Sequence, residues 1–335
     1  MTAALAIIAG LGIGWIFERG DFCFHSTWRG LVRQPRQLDL LRAYLLALLI
    51  GIPLVQGMIF LGWIEPWIPP FAWPANILGG LIFGVGMVVA SSCVTGLFYK
   101  TGHGMVGALI GLAAWAIGDI LVYLGPLSIL RDALHAATVS VDGQSATLLN
   151  GFGTTGALLL LIAGVVTAVY LWRAPRNDRG KLWKWPLLGV ATGLFMSLAW
   201  LLARAGGSNY TYGTSGVPSA LVQAVMGQLE GGSMWIPITL LFLIPGAFFA
   251  SRFAGTFWLR GETGRRYAEL AGGGLLMGIG AGIAGGCNLG HSLVGVPLLS
   301  IGSITTTLSM IAGVFLAVAA GRLLSTRRDR LAVEG

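Results

Sequence analysis

Charge is scarce in this sequence. Only 10% of its 335 residues are Asp, Glu, Lys or Arg, against roughly 25% in ordinary soluble domains. A soluble protein of this length could not clothe its surface with 21 basic and 13 acidic side chains. Three cysteines are too few for a disulfide framework, and their odd number leaves at least one thiol free. No Cys-x-x-Cys pair and no His-rich tract occurs, so no metal site is expected. The Gly-x-x-x-x-Gly-Lys-Ser/Thr motif is missing as well, which excludes ATP hydrolysis by this chain. These deficits exclude a secreted disulfide scaffold, a DNA-binding module and a cytosolic dehydrogenase. They leave neither a cofactor nor a nucleic acid among the expected partners. What fills the composition instead is 55% hydrophobic residues and 52 glycines, at a mean hydropathy of +0.79. That is an all-α polytopic membrane protein, with the lipid bilayer as its first partner. The net charge of +8 then reads as basic cytoplasmic loops. The first 17 residues lack the basic start of a cleavable signal peptide and read as a retained span.

A spanning helix takes about 20 predominantly apolar residues. Nine stretches qualify: 2–24, 38–61, 75–98, 104–124, 150–172, 185–202, 234–251, 267–289 and 301–324. The loops sort by Lys and Arg. Arg29, Arg33 and Arg36 follow the first span, Lys100 the third, and five basic residues crowd 173–184. Four arginines precede the eighth span, and Arg322, Arg327, Arg328 and Arg330 sit in the tail. Between them lie basic-poor loops at 62–74, 125–149, 203–232 and 290–300. The alternation places the N-terminus outside and the C-terminus in the cytoplasm. Trp63, Trp67 and Trp73 in the first outer loop fit an interfacial aromatic belt. The basic linker at 173–184 divides the chain into a first half, 1–172, with five spans, and a second half, 185–324, with four. A cytoplasmic tail, 325–335, follows.

The two halves share a pattern. Gly79-Gly80-Leu-Ile-Phe-Gly84-Val-Gly86 leads to Ser91-Ser92-Cys93-Val94-Thr95-Gly96, and Gly273-Gly274-Leu-Leu-Met-Gly278-Ile-Gly280 leads to Gly285-Gly286-Cys287-Asn288-Leu289-Gly290. One offset carries Gly80, Gly84, Gly86, Cys93 and Gly96 onto Gly274, Gly278, Gly280, Cys287 and Gly290. A weaker echo pairs Gly10–Gly14, ahead of Cys23, with Gly189–Gly193, ahead of Leu202. The third span enters from outside and the eighth from inside, so the units are inverted. Transporters of that design hold their sites near midplane, at broken helices, which predicts glycine-broken helices at the centre.

Cys23, Cys93 and Cys287 all sit where polar residues and glycine interrupt an apolar run. Glu18, Arg19, Asp21 and His25 surround the first, Ser91, Ser92 and Thr95 the second, Asn288 and His291 the third. Intramembrane charges face a partner or an aqueous path, and Glu18 and Arg19 are placed to neutralise each other. A neutral thiol is a weak donor and a soft acceptor, suited to a sulfur-bearing solute. Helix termini beside the cysteines would attract anions. A sulfur-containing anion is therefore favoured over a cation, with the thiols protonated so as not to repel it.

Arg19-Gly-Asp-Phe-Cys23-Phe, Ser91-Ser92-Cys93-Val-Thr95-Gly-Leu-Phe-Tyr-Lys100 and Gly285-Gly286-Cys287-Asn288-Leu-Gly-His291 resemble the motifs of the YeeE/YedE sulfur-transport family over nearly the whole chain. The sequence departs from that family at Ser91-Ser92 and Lys100, where Gly-Gly and Arg are frequent. The resemblance implies a nine-span inner-membrane permease with inverted halves, in which Cys23, Cys93 and Cys287 pass thiosulfate through a narrow centre. Arg19, Ser91, Ser92, Thr95, Lys100, Asn288 and His291 would support the path. It also implies a small cytosolic sulfur-carrier protein as partner. Two alternatives remain open from the residues: a carrier of a selenium or other sulfur compound, and a membrane thiol-redox or sulfurtransferase enzyme. The enzyme needs an activated thiolate beside a base or cation.

Overall fold

A computed structural model of the chain describes residues 2–228 and 233–334, with side chains described as far as Leu324. The tail arginines Arg327, Arg328 and Arg330 therefore lie outside the described side chains. Among the described residues, nine helical segments are long and apolar enough to cross a bilayer, and the protein is an all-α polytopic membrane protein.

In the first part of the chain, α1 (Thr2–Gly20), α2 (Phe24–Val32), α3 (Asp39–Phe60), α4 (Trp73–Ala90), α5 (Val94–His103) and α6 (Val106–Tyr123) follow one another. A short α7 (Ser128–His135) precedes α8 (Leu148–Trp172). After the linker come α9 (Trp185–Ala205), α10 (Val217–Val225), α11 (Trp235–Phe253), α12 (Gly264–Ala284), a π-helix at Leu289–Gly295 and α13 (Ile301–Glu334). Local chemistry explains several boundaries. Pro74 and Pro186 open α4 and α9 in the first turn, where a missing N–H goes unnoticed. Thr147 and Asn150 form a reciprocal capping box on α8. The 18 residues of α4 rise about 27 Å, close to the hydrocarbon thickness of about 30 Å.

Three of the segments expected to be single spans are interrupted. The span at 2–24 ends at Gly20 and restarts at Phe24, the one at 75–98 breaks between Ala90 and Val94, and the one at 267–289 stops at Ala284. Gly285 turns the third break at φ 77°, whereas Asp21 and Ser91 turn the others, both at φ 46°. The repeated glycines serve a different end. They let backbones touch, as small residues do in membranes.

Those contacts fix the relative direction of the helices. Gly10 lies against the Thr239 carbonyl and Gly14 against that of Leu243, so α1 and α11 run parallel. Gly189 and Gly193 meet the carbonyls of Ala43 and Ala47, setting α9 parallel to α3. Gly79 faces Gly280 and Gly86 faces Gly273, so α4 and α12 cross antiparallel at the centre. Gly111 and Gly118 against Gly274 and Gly278 set α6 parallel to α12, and Gly80 and Gly84 against the carbonyls of Thr306 and Met310 set α13 parallel to α4. These directions agree with a chain that crosses at every span. All the Lys/Arg-rich connections then lie on one face, the basic face.

The contacts also repeat. The α1–α11 pair is matched by α9–α3, α6–α12 by α13–α4, α2–α13 by α10–α6, and α5–α6 by the π-helix with α13. Helix α8 stands outside this scheme, packing chiefly on α3 with most of its side chains exposed. Opposite the basic face, β1 (Phe71–Ala72), β2 (Thr138–Val141) and β3 (Gln144–Ser145) form a small antiparallel sheet. Phe71 pairs with Val139 and Ser140 with Ser145.

Candidate functional site

Each of the three helix breaks is built the same way. A residue with positive φ stops the incoming helix, and a cysteine follows two positions later: Asp21 before Cys23, Ser91 before Cys93, Gly285 before Cys287. Asparagine and aspartate tolerate the left-handed region better than most residues, and a serine there is more strained. Cys23 and Cys93 are both extended residues at helix N-caps, of α2 and α5. Cys93 Sγ accepts the Gly96 N–H at 3.2 Å, so the sulfur stands where an N-cap oxygen usually stands. All three sulfurs belong to residues with 0% exposure.

Near the basic face, the fold brings Cys23 and Cys93 together. Their Sγ atoms are 3.6 Å apart, and the Cys93 N–H donates to Cys23 Sγ at 3.4 Å. Ser92 Oγ lies 4.0 Å from Cys23 Sγ and receives the Lys100 ammonium at 3.2 Å. A cation thus reaches the thiol pair through one hydroxyl. Two further bonds clamp the end of α1 to α5: Tyr99 OH donates to Asp21 Oδ1 at 2.8 Å, and His103 Nδ1 meets Glu18 Oε1 at 2.5 Å. Glu18 is therefore paired with His103 and not with Arg19. The Arg19 guanidinium makes no hydrogen bond or ion pair among the described residues, and only its carbonyl is engaged, by Trp183 N–H at 2.8 Å. Ser91 also stays apart from the thiols. Its hydroxyl reaches back to the Val88 carbonyl at 3.4 Å, and the residue lines a cavity on the basic face.

Cys287 occupies the corresponding turn toward the opposite face. Asn288 Nδ2 donates to Thr95 Oγ1 at 3.4 Å, joining the third cysteine's turn to the second's. Asn288 Oδ1 has no partner among the described residues, nor has His291 Nε2. The other ring nitrogen of His291 is held by Ser303 Oγ at 2.9 Å. Gly286 lacks the Cβ that would stand 2.7 Å from His291 Nε2, so the ring rests directly on the backbone before Cys287. Above this turn Tyr210 OH donates to the Gly290 carbonyl at 2.8 Å, and Tyr212 OH to the Ala9 carbonyl at 3.0 Å. Burial pushes both phenols up, so they remain donors.

Of the ten residues singled out from sequence, Cys23, Cys93, Ser92 and Lys100 form one cluster. Thr95, Asn288, His291 and Cys287 form a second, in which Asn288 bonds Thr95 and the His291 N–H bonds the Cys287 carbonyl, joined to the first by the chain from Cys93 to Thr95. Arg19 and Ser91 belong to neither. Sequence reasoning passed over Tyr99 and Tyr210. The repeat marked Gly96, but its tight fit is legible only in three dimensions, because a Cβ there would stand 2.6 Å from Ser92 Oγ and 3.0 Å from Cys23 Sγ. The one available signal was the Asp or Ser two residues ahead of each early cysteine.

The arrangement offers weak, soft donors and backbone N–H groups in a buried core, with a lysine at one end. Among the described residues, no group of three His, Cys, Asp or Glu is placed to hold a metal ion. The chain matches the sulphur transport family over residues 19–316. It is 28% identical over 324 residues to thiosulfate transporter TsuA of Spirochaeta thermophila, covering 92% of this chain and 95% of that protein. It is 27% identical over 342 residues to thiosulfate transporter TsuA of Escherichia coli, covering 97% and 96%. Over 168 residues it is 32% identical to probable transporter YedE of Salmonella typhimurium, which accounts for 50% of this chain and 39% of that one. With nearly its whole length matched and its three cysteines at three helix breaks, the chain belongs to the sulphur transport family.

Proposed function

We propose that the protein takes up thiosulfate, or a closely related sulfur anion, through the inner membrane, and that the anion crosses intact. The observation that carries this reading is a set of buried polar pairs at the helix breaks: Asn288, next to Cys287, with Thr95, Cys93 with Cys23, and Ser92 with Cys23 and Lys100. Thiosulfate carries two negative charges, and an unpaired charge at the membrane centre costs at least several kcal/mol. Weak donors lower that barrier without trapping the ion. The names of the full-length relatives support thiosulfate as solute. On this reading the basic face is cytoplasmic, in keeping with the positive-inside rule, and Lys100 draws the anion inward. A small cytosolic sulfur-carrier protein would receive it there.

Inverted halves are part of the proposal. The matched packing relations support them, with α1–α6 corresponding to α9–α13 and α8 as an addition between them. This narrows the first repeated unit to residues 2–123, within the first half, 1–172.

One observation favours a second reading. Cys23 Sγ accepts the Cys93 N–H and lies one hydroxyl from Lys100, and such donors stabilise a thiolate. A Cys23 thiolate could attack the outer sulfur of thiosulfate, forming a persulfide and expelling sulfite. Uptake into proteoliposomes of thiosulfate labelled separately on its two sulfurs separates the two. Equal accumulation of both labels is expected. Retention of the outer sulfur on the protein with sulfite released would establish the sulfurtransferase, and no uptake of either label would end the transport reading.

A further inference from the structure

Two cavities open on the basic face beside the thiol pair. The one of about 620 Å³ is lined by Lys100, Arg260, Arg266 and Glu262. Its charges are largely spent. Arg260 faces Glu262 at 3.7 Å, Arg266 pairs with Glu269 at 3.2 Å and also reaches the Ala90 carbonyl, and Lys100 holds Ser92.

The other cavity, about 770 Å³, differs in two ways. Among the described residues its lining contains Arg29, Arg33 and Arg322, the last bonded to the Val32 carbonyl at 2.7 Å, and no carboxylate. Its wall also contains His25, 4% exposed, whose two ring nitrogens both lack a partner among the described residues. A buried imidazole with neither nitrogen bonded is uncommon and calls for a ligand, an ion or water. His25 lies in the first turn of α2, two residues beyond Cys23, and shares the wall with Ser91. Arg29 and Arg33 are exposed at the same cavity, and Arg33 spends one donor on Gln37. An imidazole at depth, a serine hydroxyl and arginine side chains beside them are the donors a small oxyanion requires.

We infer that this cavity is the release chamber for the transported sulfur anion, with His25 taking it from Cys23 and Arg29 and Arg33 holding it before it leaves. The inference rests on the transport reading and adds a binding site to it. Electrostatic attraction in a cavity whose described lining holds arginines and no acid group raises the local concentration of an anion. It also explains why α2 carries its arginines on the turns after His25.

The sequence contains four histidines, so ring-15N-histidine protein in lipid nanodiscs gives few signals. His25 is assigned by its loss in His25→Gln. Thiosulfate is titrated at constant pH and ionic strength against sodium chloride. The His25 signals are expected to shift saturably with thiosulfate and not with chloride. In the double variant Arg29→Gln/Arg33→Gln the half-saturating concentration is expected to rise about tenfold, as loss of charge-assisted bonds implies. Unmoved His25 signals at thiosulfate concentrations that saturate uptake by the same preparation would overturn the inference. So would an equal response to chloride, or an unchanged midpoint in the double variant. Failure of the wild-type preparation to take up thiosulfate would instead remove the transport reading and with it the release role, while a saturable His25 shift would then still show an anion site in the cavity.

Discussion

Sulfur-to-sulfur contact between Cys23 and Cys93 makes the surroundings of these two residues sensitive to single atoms. Gly96 is the tightest case. A methyl group there would press on Ser92 Oγ, Cys23 Sγ and Cys93 Sγ at once, and overpacking of this kind costs about 1–3 kcal/mol. Gly96→Ala is expected to reach the membrane in near-normal amount, with its thiosulfate uptake rate strongly reduced. Initial-rate uptake normalised to immunoblotted protein checks this. Truncating a thiol acts differently, by removing one donor from the path of a charged solute. Such a bond contributes about 1.5–3 kcal/mol, so Cys93→Ala and Cys287→Ala should each slow uptake about ten- to a hundredfold. Both variants replaced together with uptake retained would refute the thiol path. Asn288→Ala should fall in the same direction, since it removes the link to Thr95 and leaves the Thr95 hydroxyl to find another partner.

Helix ends are held by groups that belong to other helices. The buried carboxylate of Asp119 on α6 accepts the Gly216 N–H at 2.7 Å, the Ser219 N–H at 3.3 Å and the Ser219 hydroxyl at 2.7 Å. It therefore caps α10 from outside, as a capping side chain normally does from within. With three donors satisfied, Asp119 acts as an anchor. It fixes the end of the segment that carries Tyr210 over Gly290. Loss of a cap costs about 0.5–2 kcal/mol. Asp119→Ala is expected to lower the unfolding temperature in detergent and to weaken uptake by loosening that segment. A thermal-shift measurement beside an uptake assay reads both. Unchanged unfolding temperature would show that the cap carries no weight. The pair Glu18 and His103, with Asp21 and Tyr99, does for α5 what Asp119 does for α10. Each clamps a short helix whose own length is too small to sustain it.

Across the whole molecule, parallel and antiparallel contacts agree with the Lys/Arg alternation, although the two rest on different physics. Glycine contacts report relative direction only. The positive-inside rule supplies the absolute side. In a cysteine-free background, single cysteines at Arg176 and Gly143 test the combination. The first is expected to react with an impermeant maleimide only from the cytoplasm, the second only from outside. External labelling at position 176 would reverse the molecule and with it the direction in which Lys100 attracts an anion.

Much of this architecture is local enough to read along the chain. Twenty apolar residues must become a helix when no water can satisfy the backbone, so the nine spans and their alternation follow from composition and charge. The cysteine motifs stood out because polar residues in an apolar run are expensive. Breaks beside the cysteines were legible, but not that Asp21 and Ser91 turn two of them, because a single left-handed residue leaves hydropathy unchanged and neither is the glycine that usually marks such a turn. Nor did spacing alone distinguish Cys23 beside Cys93 from three evenly spread thiols. That pairing depends on α1 and α5 meeting through Glu18–His103 and Asp21–Tyr99, contacts between residues 85 and 78 positions apart. Charge near His25 was visible in the sequence, but the cavity that gives it a task is enclosed by α2, α4 and α13 together. Segments are determined by the bilayer acting on each stretch of chain, whereas the site is determined by which helix ends the packing brings within hydrogen-bonding distance.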